Sequence, residues 1–263
     1  MAHIARIRHG RDTYHATVED GVYRPIDGEL FGGWEPGTHT IPVDEAELLV
    51  PVAPPQIVCI GANYRKHCVE CGAPIPDRPL VFFKLINTLI GPGDAILLPK
   101  VAPQEVDWEA ELVIVIGKEC RRVSEEAAGD YILGYTCGND ISARDCQLRI
   151  DKQWARGKSF DTFAPIGPWI TTGIDGDNLD ISLTRNGEVM QRSNTSDMIF
   201  SCREIVHYLS HSMTLYPGSI IMTGTPSGVG MGLSPAQFLK PGDGLTVEIE
   251  GIGALSNSVE LER

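Results

Sequence analysis

Short apolar stretches, separated by glycine and proline, run through most of the chain and predict a protein built mainly from β-strands. The clearest stretch is Val106–Ile116, where alternation predicts one strand with Glu109, Glu111, Val113 and Val115 on the same face. Other short apolar runs predict strands at 56–61, 80–84, 96–99 and 219–222. Asn186-Gly187 lies between two strand-like segments and predicts a tight hairpin turn.

Helical patterns are few and short, which makes the predicted fold class mainly β with short helices (α+β). Residues 63–70 and 142–148 predict short helices. Ser124 is a good N-cap for a helix that runs to about Tyr131. Ser196 predicts the cap of a helix from about Asp197 to Ser210.

A proline-rich passage suggests where the chain divides. Pro51, Pro54 and Pro55 separate a first stretch without any catalytic motif from a main body that opens with a buried strand. We therefore predict a small β-rich N-terminal subdomain at 1–53 and a catalytic domain at 54–263.

Composition narrows the class of protein. The net charge of −13 argues against nucleic-acid binding, which needs a basic face. No apolar run is long enough for a membrane span, and the N-terminus lacks the apolar core of a signal peptide, so we expect a cytoplasmic protein. The odd number of cysteines, seven, predicts reduced thiols. Cys68-x-x-Cys71 has no second pair at zinc-finger spacing, so a structural zinc site is not favoured.

Three carboxylates offer a candidate metal site. Glu109 and Glu111 would point to one side of a strand that is otherwise apolar, and two buried like charges are costly unless a cation lies between them. The competing interpretation is a solvent-facing strand side with two acids. Asp140 follows a strand-like segment and a Gly-Asn turn, and alone it would be interpreted as a turn residue. Three hard oxygen ligands favour Mg²⁺, Mn²⁺ or Ca²⁺ over zinc.

Four motifs, in order along the chain, resemble those of the fumarylacetoacetate hydrolase superfamily over roughly Pro54 to Val259. They are Asp107-Trp108-Glu109-Ala110-Glu111-Leu112, Gly138-Asn139-Asp140-Ile141-Ser142-Ala143-Arg144-Asp145, Gly157-Lys158-Ser159-Phe160-Asp161 and Thr223-Gly224-Thr225-Pro226-Ser227-Gly228-Val229-Gly230. The resemblance implies a mixed β-sheet roll, Mg²⁺ or Mn²⁺ on Glu109, Glu111 and Asp140, and a homodimer.

The resemblance also implies roles for other side chains. His67 and Glu70, at i and i+3 on a helix, would form a water-activating dyad in a lid; otherwise they would be surface residues. Lys158 would stabilise negative charge on the substrate, although an exposed loop lysine is the simpler interpretation. The substrate would be bound by Arg144, Gln147 and Thr225; Arg144 could instead pair with a nearby acid.

These roles lead to one main hypothesis and two alternatives. The main hypothesis is Mg²⁺-dependent C–C bond cleavage of a small 2-oxo acid or β-diketo acid, by acylpyruvate hydrolysis, oxaloacetate decarboxylation, or both. One alternative is an isomerase or decarboxylase of a hydroxymuconate-type diacid (2-hydroxyhepta-2,4-diene-1,7-dioate), which would not need the dyad to activate water. The other is a non-catalytic dicarboxylate-binding protein, which the intact set of candidate residues disfavours.

Overall fold

Strands dominate the secondary structure and helices are short, which confirms the predicted fold class. The computed structural model describes all 263 residues. The strands are β1 (Ala2–His9), β2 (Asp12–Glu19), β3 (Val22–Glu29), β4 (Gly33–Pro36), β5 (Ile41–Pro42), β6 (Glu47–Leu49), β7 (Ile57–Gly61), β8 (Leu80–Lys84), β9 (Leu89–Ile90), β10 (Ala95–Leu98), β11 (Val106–Asp107), β12 (Ala110–Ile116), β13 (Ile132–Asn139), β14 (Ser142–Ala143), β15 (Ala164–Thr172), β16 (Asp180–Arg185), β17 (Glu188–Asn194), β18 (Ile220–Met222), β19 (Gly244–Ile249) and β20 (Gly253–Leu261). The helices are α1 (Arg65–Glu70), α2 (Glu125–Ala128), α3 (Trp154–Lys158) and α4 (Cys202–Ser212), with a π-helical turn at Cys146–Ile150 and 3-10 turns at Val43–Glu45, Ile86–Thr88, Gly129–Tyr131, Thr195–Asp197 and Gly230–Gly232. No helix is both long and apolar enough to cross a membrane.

Two large sheets and one small one form the architecture. The first has 13 strands in the order β4-β3-β2-β1-β15-β13-β12-β18-β7-β8, with β5, β6 and β9 attached at its sides. The second has five strands in the order β10-β20-β19-β16-β17, and β11 and β14 form a separate pair. The main core lies where β12 and β13 face β16 and β19, and α4 packs against it.

Strand β12 is buried on both faces because it lies between two apolar clusters. Leu112 and Ile114 belong to the main core, whereas Val113 and Val115 belong to a second cluster formed with β7, β15 and β18. Glu111 has the same parity as Val113, so alternation directs it toward the second cluster. That side of the sheet holds the candidate site.

The predicted strand Val106–Ile116 is interrupted at Trp108-Glu109, so the prediction of one continuous strand was wrong. Side chains replace the strand ladder at the break: Trp108 N donates to Asp107 Oδ1 over 2.8 Å, and Glu109 N donates to Asn139 Oδ1 over 2.9 Å. The chain changes sheets there, because β11 pairs with β14 while β12 pairs with β13. Glu109 therefore lies in the break rather than on a strand face.

Two helix predictions also need correction. The helix expected from Asp197 begins at Cys202, and its cap is Ser201 in a capping box with Glu204 rather than Ser196. The preceding segment is held against Asn63, since Phe200 N donates to Asn63 Oδ1 over 2.9 Å, and this contact delays the helix.

Of the helical turn expected at 142–148, Ser142–Ala143 form β14 instead, while helical conformation begins at Arg144 and continues as the π-helical turn Cys146–Ile150. The helix predicted at 63–70 is present as α1, and the one that Ser124 caps is present as α2 and the 3-10 turn after it.

The N-terminal strands join the same sheet as the rest of the chain. Ala2, His3 and Ile4 of β1 pair with Thr172, Thr171 and Ile170 of β15. The division into 1–53 and 54–263 stays a prediction. The first sheet is continuous across this boundary, so the two parts do not form separate sheets.

Candidate active site

Three carboxylates converge where β12 and β13 meet. Ala110 pairs with Asn139 across these strands, so Asp140 lies directly after the pairing and its backbone N donates to Glu109 O over 2.9 Å. One carboxylate oxygen from each of Glu109, Glu111 and Asp140 lies within 4.8 Å of the others. All three residues are buried, so the interpretation as a solvent-facing acidic strand does not hold.

Two basic side chains balance Glu109. Lys158 Nζ lies 2.6 Å from Glu109 Oε2 and 2.6 Å from Asp140 Oδ2, and Arg144 Nη2 lies 2.8 Å from Glu109 Oε1. Burial opposes ionisation of Glu109, but Lys158 and Arg144 outweigh it and lower the pKa of Glu109 to about 2. Glu109 is therefore ionised at neutral pH.

Glu111 has no such partner. Its Oε2 accepts a hydrogen bond from Gly224 N over 2.8 Å, and no lysine or arginine forms an ion pair with it. Burial, followed by the charges of Asp140 and Glu109, raises the pKa of Glu111 well above its usual range. Three carboxyl groups thus meet in a buried space, and one of them, Glu111, has no cationic partner. A divalent hard cation fits such a set of oxygen donors.

Lys158 reaches the acids because a glycine precedes it. A Cβ at Gly157 would lie 2.6 Å from Gln147 N, so only glycine lets α3 pack this closely on the π-helical turn. Lys158 is 2% exposed, so the interpretation as an exposed loop lysine is wrong. Burial alone would lower the pKa of Lys158. The negative charges of Asp140 and Glu109 outweigh burial and raise this pKa above its usual value, which keeps the amine charged.

Arg144 and Gln147 lie beside the acids and bind each other. Arg144 Nη1 donates to Gln147 Oε1 over 3.0 Å, and Arg144 Nε donates to Asp107 Oδ2 over 2.9 Å. The structure thus shows the pairing of Arg144 with nearby acids that the sequence left open. A substrate contact of Arg144 stays a prediction.

Two charged residues of the site were missed by the sequence analysis. Lys84, at the end of β8, donates to Asp140 Oδ1 over 2.5 Å and to Ile141 O over 3.1 Å. Asp107 accepts hydrogen bonds from the backbone N atoms of Gly230 and Met231 in addition to Arg144. The sequence offered one signal for each residue. Lys84 is the single charged residue in the apolar run 80–84, and Asp107 is the first residue of the first family motif.

His67 and Glu70 form a pair on α1. His67 Nδ1 lies 3.1 Å from Glu70 Oε2, and Gly228 N donates to Glu70 Oε1 over 2.8 Å, which ties α1 to the glycine-rich loop. Burial lowers the pKa of His67, but contacts with Cys71 and Glu70 and the charge of Glu109 outweigh it and raise that pKa to about 9.

Thr225 is positioned by a residue that the sequence did not single out. Gln191 Nε2 donates to Thr225 Oγ1 and to Pro226 O, each over 2.8 Å, while Gln191 Oε1 accepts from Ala110 N. One buried amide thus connects the glycine-rich loop to the strand that carries Glu111.

A cavity of about 300 Å³ brings most of the predicted site residues together. Its lining includes His67, Glu109, Glu111, Arg144, Gln147, Lys158 and Thr225. Asp140 lies behind Lys158, and Glu70 lies behind His67. A larger groove of about 640 Å³ around Phe83 and Phe160 contains none of the candidate residues.

The comparisons with known proteins identify the family that this fold and acidic site define. The model described as "Fumarylacetoacetate (FAA) hydrolase C-terminal" matches residues 56–260, and the model described as "Rv2993c-like, N-terminal" matches residues 2–51. The chain belongs to the fumarylacetoacetate hydrolase family.

Similar proteins carry names of tautomerases and isomerases. The mitochondrial oxaloacetate tautomerase Fahd2a of Rattus norvegicus is 44% identical over 83% of this chain and 71% of its own length. A solved 2-hydroxyhepta-2,4-diene-1,7-dioate isomerase from Mycobacterium marinum is 38% identical, covers 100% of this chain and 99% of its own, and has a TM-score of 0.90. A solved 5-carboxymethyl-2-hydroxymuconate delta-isomerase from Mycobacterium smegmatis is 37% identical over 99% of this chain and 100% of its own, also with a TM-score of 0.90.

Proposed function

We propose that this protein is a divalent-metal-dependent enzyme that interconverts the keto and enol forms of a small 2-oxo diacid of the oxaloacetate type. The observation that carries the proposal is the cavity in which His67 shares one space with Glu109, Glu111 and Lys158. The names of the relatives favour proton transfer over the C–C cleavage that was the main hypothesis from sequence.

The acidic cluster supplies the metal site of this proposal. Glu109, Glu111 and Asp140 would hold Mg²⁺ or Mn²⁺, because oxygen ligands favour hard cations and Glu111 lacks a positive partner. When bound, the cation supplies Lewis-acid stabilisation of negative charge on the substrate's 2-oxo oxygen.

The protein's own groups carry the proton transfer. The neutral form of His67, a minority at pH 7 because its pKa is raised to about 9, takes the proton from the carbon next to the 2-oxo group and returns it to the carbonyl oxygen, so the double bond moves and no atom is lost. Glu70 orients the imidazole through Nδ1, which leaves Nε2 for this proton. The charged Lys158 stabilises the enolate, and burial strengthens that interaction.

The remaining cavity residues would bind the substrate's carboxylates. Arg144 lines the cavity and brings a positive charge to it, which two neighbouring acids, Glu109 and Asp107, hold in place at 2.8 Å from Nη2. Thr225 and Gln147 add polar groups on the same wall. We propose that these three residues position a diacid.

Ultraviolet absorbance of the enol tests the proposal directly. Oxaloacetate enol added to the protein with Mg²⁺ should convert to the keto form faster than in buffer, and excess chelator should abolish the acceleration. His67→Asn should lower kcat by about 10²–10⁴-fold, the usual contribution of a general base. If neither Mg²⁺ nor Mn²⁺ supports any acceleration, the proposal is wrong.

Hydrolysis of acylpyruvates is the second candidate, because the Glu70-oriented His67 can also deprotonate a water. It consumes water and releases pyruvate, whereas tautomerisation releases nothing. Acetylpyruvate incubated with the Mg²⁺-loaded protein, followed by a coupled pyruvate assay, separates the two. Chelator-sensitive pyruvate release would restore C–C cleavage as the main activity.

Oligomeric state and location are also proposals. We propose a homodimer in the cytoplasm, supported by the family resemblance and the sequence, although the rat relative is mitochondrial by name. Light scattering of the purified protein would show a mass of about 28.7 kDa for a monomer or twice that for a dimer.

A further inference from the structure

A second group of potential metal ligands lies at the end of α1, separate from the three carboxylates. His67, Glu70 and Cys71 each offer one ligand atom, and these atoms all lie within 4.8 Å of one another. Cys71 Sγ is 3.8 Å from His67 Nδ1, which is 3.1 Å from Glu70 Oε2. Both His67 and Cys71 line the 300 Å³ cavity.

These spacings are close to those of a tetrahedral zinc site. Bonds of about 2.0–2.3 Å from zinc to nitrogen, oxygen and sulfur place the ligand atoms of one ion about 3.3–3.6 Å apart. The observed 3.8 and 3.1 Å differ from that range by a few tenths of an ångström, and the third spacing, from Cys71 to Glu70, is within 4.8 Å. Cys71 Sγ also lies 3.8 Å from His67 Nε2, so it must move toward the Nδ1 side of the ring to share an ion with Glu70. Cys71 is exposed, so its single side-chain torsion can make the adjustment.

The donor types are different from those of the first site. A thiol, an imidazole and one carboxylate suit Zn²⁺ and Co²⁺, whereas Mg²⁺ prefers an all-oxygen set. Three protein ligands leave a fourth position open, and here it would face the cavity. Cys68 is not part of the set, since it is buried and its Sγ donates to Ala62 O over 3.4 Å.

We propose that His67, Glu70 and Cys71 form a Zn²⁺ site at the mouth of the cavity. Zinc bound there occupies the imidazole and the carboxylate of the dyad, so it switches off proton transfer while the carboxylate cluster keeps its own cation. This loss of activity rests on the proposed function of His67, whereas the binding itself does not.

Co²⁺ titration in saturating Mg²⁺ tests the binding, because a thiolate bound to cobalt gives a charge-transfer absorption that carboxylates alone do not. The unmodified protein should show this absorption, and added Zn²⁺ should remove it. Cys71→Ser should lose the absorption, whereas the matched variant Cys68→Ser should keep it. Thermal melting of both variants checks that they are folded.

The outcomes separate the site from its consequence. Zn²⁺ in saturating Mg²⁺ should inhibit the unmodified enzyme at least about 10-fold more potently than Cys71→Ser, each compared with its own uninhibited rate, because loss of even an outer-shell partner of a metal ligand costs that much affinity. No thiolate absorption, or an equal absorption in Cys71→Ser, would overturn the zinc site. Thiolate absorption without inhibition would support the site but contradict the role given to His67 in the proposed function.

Discussion

At the scale of single residues, positive charge is unevenly distributed over the three carboxylates. Glu109 and Asp140 each contact two basic side chains, and Glu111 contacts none. A carboxyl whose pKa is raised on folding lowers stability at neutral pH, because the unfolded chain gains from ionising the group and the folded chain does not. Glu111 therefore lowers the free energy of unfolding of the metal-free protein, and a bound cation would remove this destabilisation.

Glu111→Gln should have opposite effects on the stability of the metal-free and the metal-bound protein. Without metal the variant should be at least as stable as the unmodified protein, because a neutral amide replaces a buried acid. Mg²⁺ at 100 times its dissociation constant should stabilise the unmodified protein by about 2.7 kcal/mol and the variant by much less. Urea unfolding with chelator and with Mg²⁺ measures both.

The exposed Glu119→Gln serves as the matched control and should respond to Mg²⁺ like the unmodified protein. An undiminished Mg²⁺ effect in Glu111→Gln would remove Glu111 from the metal ligands.

Lys84→Met should be one of the most destabilising single changes at the site. Lys84 is buried, and its removal leaves Asp140 without one of two cationic partners. Breaking a buried ion pair by removing one partner costs about 3–5 kcal/mol. Urea unfolding should show a loss of this size, with the exposed Lys118→Met as control; equal midpoints for the two variants would contradict the structural role of Lys84.

Sequence reasoning found the residues whose chemistry is local and missed those whose partners are distant. Glu109, Glu111 and Asp140 were recognisable from spacing, polarity and motif. Lys84 lies 56 positions from Asp140, and only the pairing of β7 with β8 brings it near the site. Gln191 likewise acts across 34 positions, so no local pattern could predict it.

At the scale of elements, the strand and helix predictions failed most where backbone N–H groups donate to side chains instead of to other backbone groups. The break at Trp108-Glu109 depends on Asn139, and the late start of α4 depends on Asn63. Both contacts are non-local, whereas the Asn186-Gly187 turn is local and was predicted correctly. Asn186 and Gly187 both have positive φ, as the tight turn requires.

That hairpin is held by one acid from the β19 side. Asp243 accepts from Asn186 Nδ2 over 2.8 Å, Arg185 Nε over 2.9 Å and Lys240 N over 2.7 Å. Burial opposes ionisation, but these bonds outweigh it and lower the pKa of Asp243 below its ordinary value of 3.8. The depressed pKa means that Asp243 stabilises the fold above about pH 4 and that this stabilisation is lost as the pH falls through the folded-state pKa.

Asp243→Asn should therefore lower stability by about 1.5–3 kcal/mol at neutral pH, the usual size for hydrogen bonds to a charged group. The difference from the unmodified protein should shrink as the pH falls below 4. Urea midpoints from pH 7 to pH 3 measure it, with the exposed Asp44→Asn as control. A difference that is constant with pH would show that the charge of Asp243 contributes nothing.

At the scale of the whole molecule, the N-terminal strands and the catalytic region share both a sheet and a core. Ile4, Leu30 and Val52 belong to the same buried cluster as Val113 and Val115 of β12. The five buried residues of a smaller satellite cluster around Ile7 and Ile41 all lie in the N-terminal part, and Trp169 of β15 packs against this cluster from outside. The sequence indicated the division through its prolines, but it could not show that the two parts bury the same surface.

The shared cluster predicts that both parts unfold together. Amides of β1 and β2 should exchange hydrogen with the same opening free energy as those of β12 and β13, because opening the first pair exposes the core of the second. Ile4→Ala should lower that free energy by about 2–5 kcal/mol in both regions, the usual cost of such a cavity. Hydrogen exchange followed by mass spectrometry resolves the two regions, with Ile41→Ala as the matched change in the satellite cluster. If Ile4→Ala affected β1 and β2 but not β12 and β13, residues 1–53 would be an independent folding unit, and the acid cluster would owe none of its rigidity to them.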